Sequence, residues 1–261
     1  MEHKRMENIW ARCDSIAFLA LCILMSYCVA CGTGVFLARG GLSLWRVCLA
    51  VFLLTAIPGM IRKMREIFRN PYLWVLLVFA GWMCISAVIG VRSGNDRSMI
   101  VRDIKSMIYF VFFPALLAVL QSKKRVHILM KCMMYATFAL SVFNCVFIFL
   151  YLCAPGAFGV VRDIFTRPEF LNFTAISTRI PRILYVSAPF QLCGCAFACY
   201  FQMVEKKLSV RYMVITAFEL FCIMMTFTRA LYMATVVTAV LVIGLAIYCV
   251  EHSRRKRALW Q

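Results

Sequence analysis

Arg229 stands between two apolar runs with no polar loop on either side, Phe221–Thr228 before it and Ala230–Gly244 after it. A charged side chain at membrane depth costs roughly 2.5–3.5 kcal/mol unless it is paired or wetted. Two readings follow: a guanidinium that ends a span and reaches back to the interface, or one aimed into a cavity at an anionic group. Glu219 lies ten residues earlier, about 15 Å down the same helix. It reads as a packed protonated carboxyl, as the partner of a base on another span, or as part of a proton path. Arg179 and Arg182 close the long stretch Ala154–Arg182, which mixes apolar residues with Arg162, Asp163, Arg167 and Glu169. Guanidinium is a planar, two-pronged donor suited to diphosphates and carboxylates. Arginines gathered in this way could therefore hold an anionic ligand.

Other chemistries lack their residues. There is no Gly-rich phosphate loop, no Gly-x-Ser-x-Gly, no His-Glu-x-x-His and no clustered ligand set, so neither metal nor cofactor is expected. The 14 cysteines sit almost entirely in apolar runs, where a thiol behaves as a small hydrophobe. Cys28 and Cys31 form a Cys-x-x-Cys pair, but no second pair accompanies it. Asn172-Phe173-Thr174 is a glycosylation sequon that matters only in a eukaryotic secretory setting.

The elements that must position these residues are set by composition. The chain has 261 residues, 64% hydrophobic and 15% charged, with mean hydropathy +0.85. A soluble domain has about a quarter of its residues charged, and a disordered chain is far less apolar. Eight apolar runs are readable: Ser15–Leu37, Leu42–Ile61, Leu73–Val91, Ile104–Leu120, Cys132–Leu152, Ile183–Val204, Tyr212–Thr228 and Ala230–Val250. The first exceeds 20 residues, too long for a cleaved signal peptide. Asn70-Pro71 suits a helix start before the third. The expected fold is all-α, a polytopic membrane bundle of about eight transmembrane helices forming one domain over residues 1–261.

Charge placement gives the orientation. With the N-terminus in the cytoplasm, 18 basic residues fall inside and 11 outside, as the positive-inside tendency favours. Both termini are then cytoplasmic. Eight of the nine lysines are inside, whereas ten of the 11 outer basic residues are arginine. His3, His127 and His252 all fall inside, so outer chemistry would rest on arginine and on Asp96, Asp103, Asp163 and Glu169. In a soluble protein the net charge of +18 would point to nucleic acid. Here it points to topology and membrane lipids, with no nucleic acid. The outer stretch 154–182 is expected along the membrane surface, like an interfacial helix.

The residues around Arg229 carry a resemblance. From Ile223 to Gly244 the chain reads IMMTFTRALYMATVVTAVLVIG, which resembles the Thr-x-Ser-Arg-Gly signature of the O-antigen ligase and polysaccharide polymerase superfamily. Thr226-Phe227-Thr228-Arg229-Ala230 has Thr for the family's Ser and Ala for its Gly. The spans around Tyr72 to Tyr151, with Asp103-Ile104-Lys105 opening the fourth, also look like that family. The resemblance implies a multi-pass protein of the bacterial inner membrane. Such a protein transfers a glycan from a polyprenyl-diphosphate-linked oligosaccharide to an acceptor hydroxyl, on lipid or on another glycan. No metal or cofactor is implied. Arg229 carries over by motif position as the catalytic arginine; Arg179 and Arg182 are assigned to the diphosphate by location alone. Family members continue into a large outer loop with a basic residue and a catalytic His. This sequence instead reaches the basic segment Arg254–Arg257, so the expectation is a chain lacking the family's C-terminal part. It would be a fragment, an inactive copy or a shortened relative that binds without reacting. Two other classes stand beside this one: a transporter or flippase-type protein of polysaccharide export, and a structural or assembly subunit.

Overall fold

The computed structural model describes residues 2–31, 44–94, 96, 98, 100, 112–159, 171–177, 180–185, 188–204 and 209–258. The helices are α1 (Glu2–Cys31), α2 (Leu44–Arg62), α3 (Met64–Arg69), α4 (Pro71–Arg92), α5 (Phe112–Val119) and α6 (Lys123–Cys153). After strands β1 (Leu171–Ser177) and β2 (Ile180–Tyr185) come α7 (Ala188–Val204), α8 (Val210–Met225) and α9 (Arg229–Ala258). Among the described residues, three helical stretches are long and apolar enough to cross a membrane: Ile9–Val29, Pro71–Arg92 and Lys123–Cys153. Arg229–Gly244 is apolar but shorter.

Local chemistry explains the best-defined of these. Asn70 is the N-cap of α4: its Oδ1 accepts from the Tyr72 amide at 3.0 Å, and Pro71 supplies a first helical position that needs no N–H. At the other end the Ser93 amide donates to the Ile89 carbonyl at 2.9 Å. Gly94 then takes φ +77°, the left-handed step that stops a helix. Between these caps Leu73 is the one buried residue, while Trp74, Val78, Trp82 and Ile89 are all more than half exposed. A helix apolar all round and uncovered by protein belongs in lipid.

The region after α6 departs from the expected interfacial helix. Residues 155–159 form one helical turn, and then β1 and β2 pair antiparallel, with Phe173 opposite Ile183 and Thr174 opposite Arg182. The register slips between Ala175 and Ser177, opposite Pro181, which has no amide hydrogen for the ladder. Aromatic and β-branched residues recur through the segment at Phe173, Thr174, Ile176, Ile180 and Ile183, a composition that favours strand. The sixth apolar run therefore begins in β2, and its helix starts only at Ala188. With 17 and 16 residues, α7 and α8 are about 26 and 24 Å long, shorter than a hydrocarbon core of about 30 Å.

No linker was legible in the sequence, and the chain divides instead within helices. One compact unit comprises Met1–Ile23 with Arg46–His127, the other Leu24–Trp45 with Ile128–Gln261. In the first unit, Ile67, Leu73 and Ala118 form a small core, and Phe52 stacks on Phe112 with centroids 5.9 Å apart. The last carbonyls of α5 find basic partners: Lys63 Nζ donates to Ala118 at 2.8 Å and Arg125 to Val119 at 3.0 Å. Arg125 also pairs with Asp14 at 2.7 Å. Partial burial pushes the Lys63 ammonium pKa down.

In the second unit, α6, α7 and α8 hold two apolar clusters. One contains Leu140, Phe147, Ile148, Phe158, Ile223 and Leu231. The other contains Met134, Ala198, Phe201, Tyr212 and Ile215. Beside the second, Lys131 lies over the Phe201 ring at 5.2 Å and Arg211 over Tyr135 at 4.9 Å. These cation–π pairs mark the end where α6 and α8 begin.

Candidate functional site

Between the two apolar clusters lies a polar seam. On α6 it comprises Thr137, Ser141 and Asn144, spaced to share one face of the helix. On α8 it comprises Glu219, Cys222 and Thr226, with the same kind of spacing, and α7 adds Gln191. None of these seven side chains is more than 1% exposed, in surroundings where an unsatisfied polar atom is expensive. Ser141 is the hub. Its Oγ donates to Glu219 Oε2 at 2.8 Å and accepts from Gln191 Nε2 at 3.2 Å. Its carbonyl accepts from Cys222 Sγ at 3.4 Å. Thr137 Oγ1 donates to the Met134 carbonyl at 2.8 Å. Among the described residues, Glu219 Oε1 and Gln191 Oε1 receive no hydrogen bond.

Gly194 closes the seam from α7. A Cβ there would overlap the Thr137 hydroxyl and stand 2.9 Å from Glu219 Oε1. Only a residue without a side chain lets the α7 backbone approach this pair.

One end of the seam leads to Arg229. The α8 helix stops at Met225, and Thr226 Oγ1 donates back to the Ile223 carbonyl at 2.7 Å. Phe227 adopts φ +48°, a left-handed conformation that a bulky residue rarely takes. Thr228 Oγ1 turns back to the Thr226 carbonyl at 3.1 Å, and α9 begins at Arg229. The guanidinium is exposed, so it is not tucked into a closed cavity, and it has no polar partner among the described residues. A positive side chain at a helix N-terminus faces the positive end of the helix dipole, which costs about 0.3–1 kcal/mol. The free amides of that turn and the guanidinium together favour an anion.

Connectivity fixes what shares that end. β2 leads into the start of α7, α7 returns through α8, and α8 ends beside Arg229. The hairpin packs against α8. Arg182, in β2, therefore lies at the same end of this unit as Arg229. Arg179 lies outside the described residues, as do Arg162, Asp163, Arg167 and Glu169. Glu219 is not gathered with the arginines; it sits deeper, at the centre of the seam. Thr137, Ser141, Asn144, Gln191 and Gly194 were not singled out in the sequence. Three polar residues repeating on one face of an otherwise apolar α6 were the available signal. Among the described residues, no group of three or more His, Cys, Asp or Glu stands together.

No family model matches this chain, and neither the curated proteins nor the solved structures contain a match.

Proposed function

We propose that the chain belongs to a bacterial inner-membrane system that transfers a glycan from a polyprenyl-diphosphate-linked oligosaccharide to an acceptor hydroxyl. The transfer takes place at the non-cytoplasmic face, in the manner of O-antigen ligases and polymerases. The observation that carries this reading is Arg229 at the first turn of α9, exposed, unpartnered among the described residues and presented by a strained Thr-Phe-Thr turn. In the transfer, the bond between the sugar's anomeric carbon and the diphosphate oxygen breaks. A bond from that carbon to the acceptor oxygen forms, and the acceptor's proton passes to a base. Negative charge grows on the departing diphosphate. A guanidinium beside helix amides stabilises that charge more in the transition state than in the ground state. Arg182, at the same end of the unit, and Arg179 are proposed to hold the second phosphate.

In the same proposal the chain crosses the membrane about eight times with both termini in the cytoplasm. The separation of Lys131 and Arg211 from Arg182 and Arg229, at opposite ends of the second unit, supports that orientation. The test uses membranes carrying the full chain, a polyprenyl-diphosphate-linked oligosaccharide and acceptor glycan. Arg229→Ala is expected to lower glycan transfer and retention of the lipid diphosphate, the former by roughly 10²-fold or more, with Arg229→Lys only partly restored. Transfer and retention unchanged in Arg229→Ala would overturn the assignment.

A second reading, a transporter or flippase-type protein of polysaccharide export, is favoured by one observation, the fully buried Glu219 within the bundle. It predicts substrate movement that depends on Glu219 and is indifferent to Arg229.

A further inference from the structure

Two oxygens of the buried seam receive no hydrogen bond among the described residues. Ser141 spends its hydroxyl hydrogen on Glu219 Oε2, and Thr137 spends its own on the Met134 carbonyl. Gln191 directs its amide nitrogen to Ser141. The two oxygens left without a hydrogen bond among the described residues are Glu219 Oε1 and Gln191 Oε1, both in side chains 0% exposed, and the Thr137 hydroxyl lies beside Glu219. Gly194 brings Thr137 Oγ1 and Glu219 Oε1 under one backbone position, so these two oxygens converge on a single small space, and Gln191 joins them through Ser141. Buried polar atoms in native structures are almost always satisfied, and a cluster of oxygens without hydrogens is satisfied by a cation. Sodium takes hydroxyl, amide and carboxylate oxygens as ligands. A proton on Oε1 supplies the missing hydrogen bond instead.

We propose that Glu219, Gln191 and Thr137 form a binding site for one small monovalent cation, a proton or a sodium ion, inside the α6–α7–α8 bundle. The setting suits one charge. The titratable groups around Glu219 are thiols: Cys195 and Cys199 of α7, Cys222 of α8, and Cys145 of α6 beside Cys222. No described basic residue or second carboxylate acts on it. Packed on α7, α9 brings Arg229 and Tyr232 in its first turn, and Tyr232 Oη donates to the Met224 carbonyl at 2.6 Å. The carboxylate therefore has no protein countercharge among the described residues, and the bound cation supplies it. This site stands or falls independently of glycan transfer at Arg229.

The experiment is thermal unfolding of the full chain in detergent, followed by tryptophan fluorescence. One series varies sodium against potassium and choline at constant ionic strength; another varies pH in choline. A sodium site gives an unfolding midpoint that rises and saturates with sodium alone. A proton site gives a midpoint that depends on pH and not on sodium. Either response supports the site, and the choice between them names the cation. In each case Glu219→Gln abolishes the response; with a proton it also retains the plateau of the protonated protein, because the amide mimics a neutral acid. Thr137→Val, nearly isosteric, shifts the sodium half-saturation or the pH midpoint about tenfold, the effect of one lost hydrogen bond. Should Glu219→Gln fail to fold, Thr137→Val carries the test alone. A wild-type midpoint indifferent to both sodium and pH overturns the site. So does a response that persists unchanged in Glu219→Gln or, where that variant does not fold, in Thr137→Val.

Discussion

Arg229 and Glu219 sit ten residues apart and face opposite physical problems. The arginine is exposed and has no polar partner among the described residues, so an incoming anion gains its charge at little desolvation cost. The glutamate is sealed off, so anything it binds must come as a bare cation. A third charged residue shows a simpler balance. Asp96 is fully exposed, and its Oδ1 accepts from the Ser98 amide at 2.9 Å while its Oδ2 accepts from the Ser98 hydroxyl at 2.8 Å. These two donors hold the carboxyl pKa below its ordinary value of 3.8. A carboxyl depressed in the folded state stabilises that state above the unfolded pKa, and the effect is lost as pH falls through the lower folded value. Exchange of the Ser98 amide is therefore expected to be slowed at neutral pH in the wild type and faster in Asp96→Ala. The difference should vanish on acidification below the folded pKa. Equal exchange in both proteins at pH 7 would show that the carboxylate does not hold this turn.

At the scale of elements, the α4 start makes the clearest case. Asn70 accepts from Tyr72, and Pro71 is preset for the first helical position. Asn70→Ala is expected to cost about 1 kcal/mol, read as a lower unfolding midpoint, with Asn70→Asp close to wild type because its carboxylate still accepts. An unchanged midpoint in Asn70→Ala would mean that lipid, not the cap, fixes this end. This helix was legible because its signals are local: a capping residue, a proline and a long apolar run in the right order. The hairpin was not. Ile183–Tyr185 merge without a break into the apolar residues of α7, and a short apolar run cannot be sorted into strand or helix by periodicity. What decides it is the pairing of Phe173 with Ile183 and Leu171 with Tyr185, a contact between positions that no local window holds together. The seam was hidden for the same reason. Thr137, Ser141, Gln191 and Glu219 lie in three separate runs, each of them a tolerable exception on its own. Arg229 was legible because a lone charge between apolar runs is costly wherever the helices go.

For the whole molecule, the proposed orientation rests on how basic residues are sorted along the second unit. Lys131 and Arg211 are anchored over aromatic rings where α6 and α8 begin, while Arg182 and Arg229 lie at the other end. If α7 and α8 cross the bilayer, these two ends face opposite compartments. Their lengths of about 26 and 24 Å require the bilayer to thin around them by a few ångströms, at a cost of fractions of a kcal/mol per ångström. That is small against burying Arg182 of β2 in hydrocarbon, which costs roughly 2.5–3.5 kcal/mol at mid-depth. The proposed topology therefore has α7 and α8 cross rather than form a shallow re-entrant pair. A reporter active only in the cytoplasm should work when fused after Lys207, and one active only outside it should work when fused after Arg179. Activity of the cytoplasmic reporter at both positions would make α7 re-entrant, place Arg229 on the cytoplasmic side and remove it from any donor presented at the outer face. The cation site would survive that result, because its oxygens converge through helix packing alone; its cation would then be drawn from the cytoplasm.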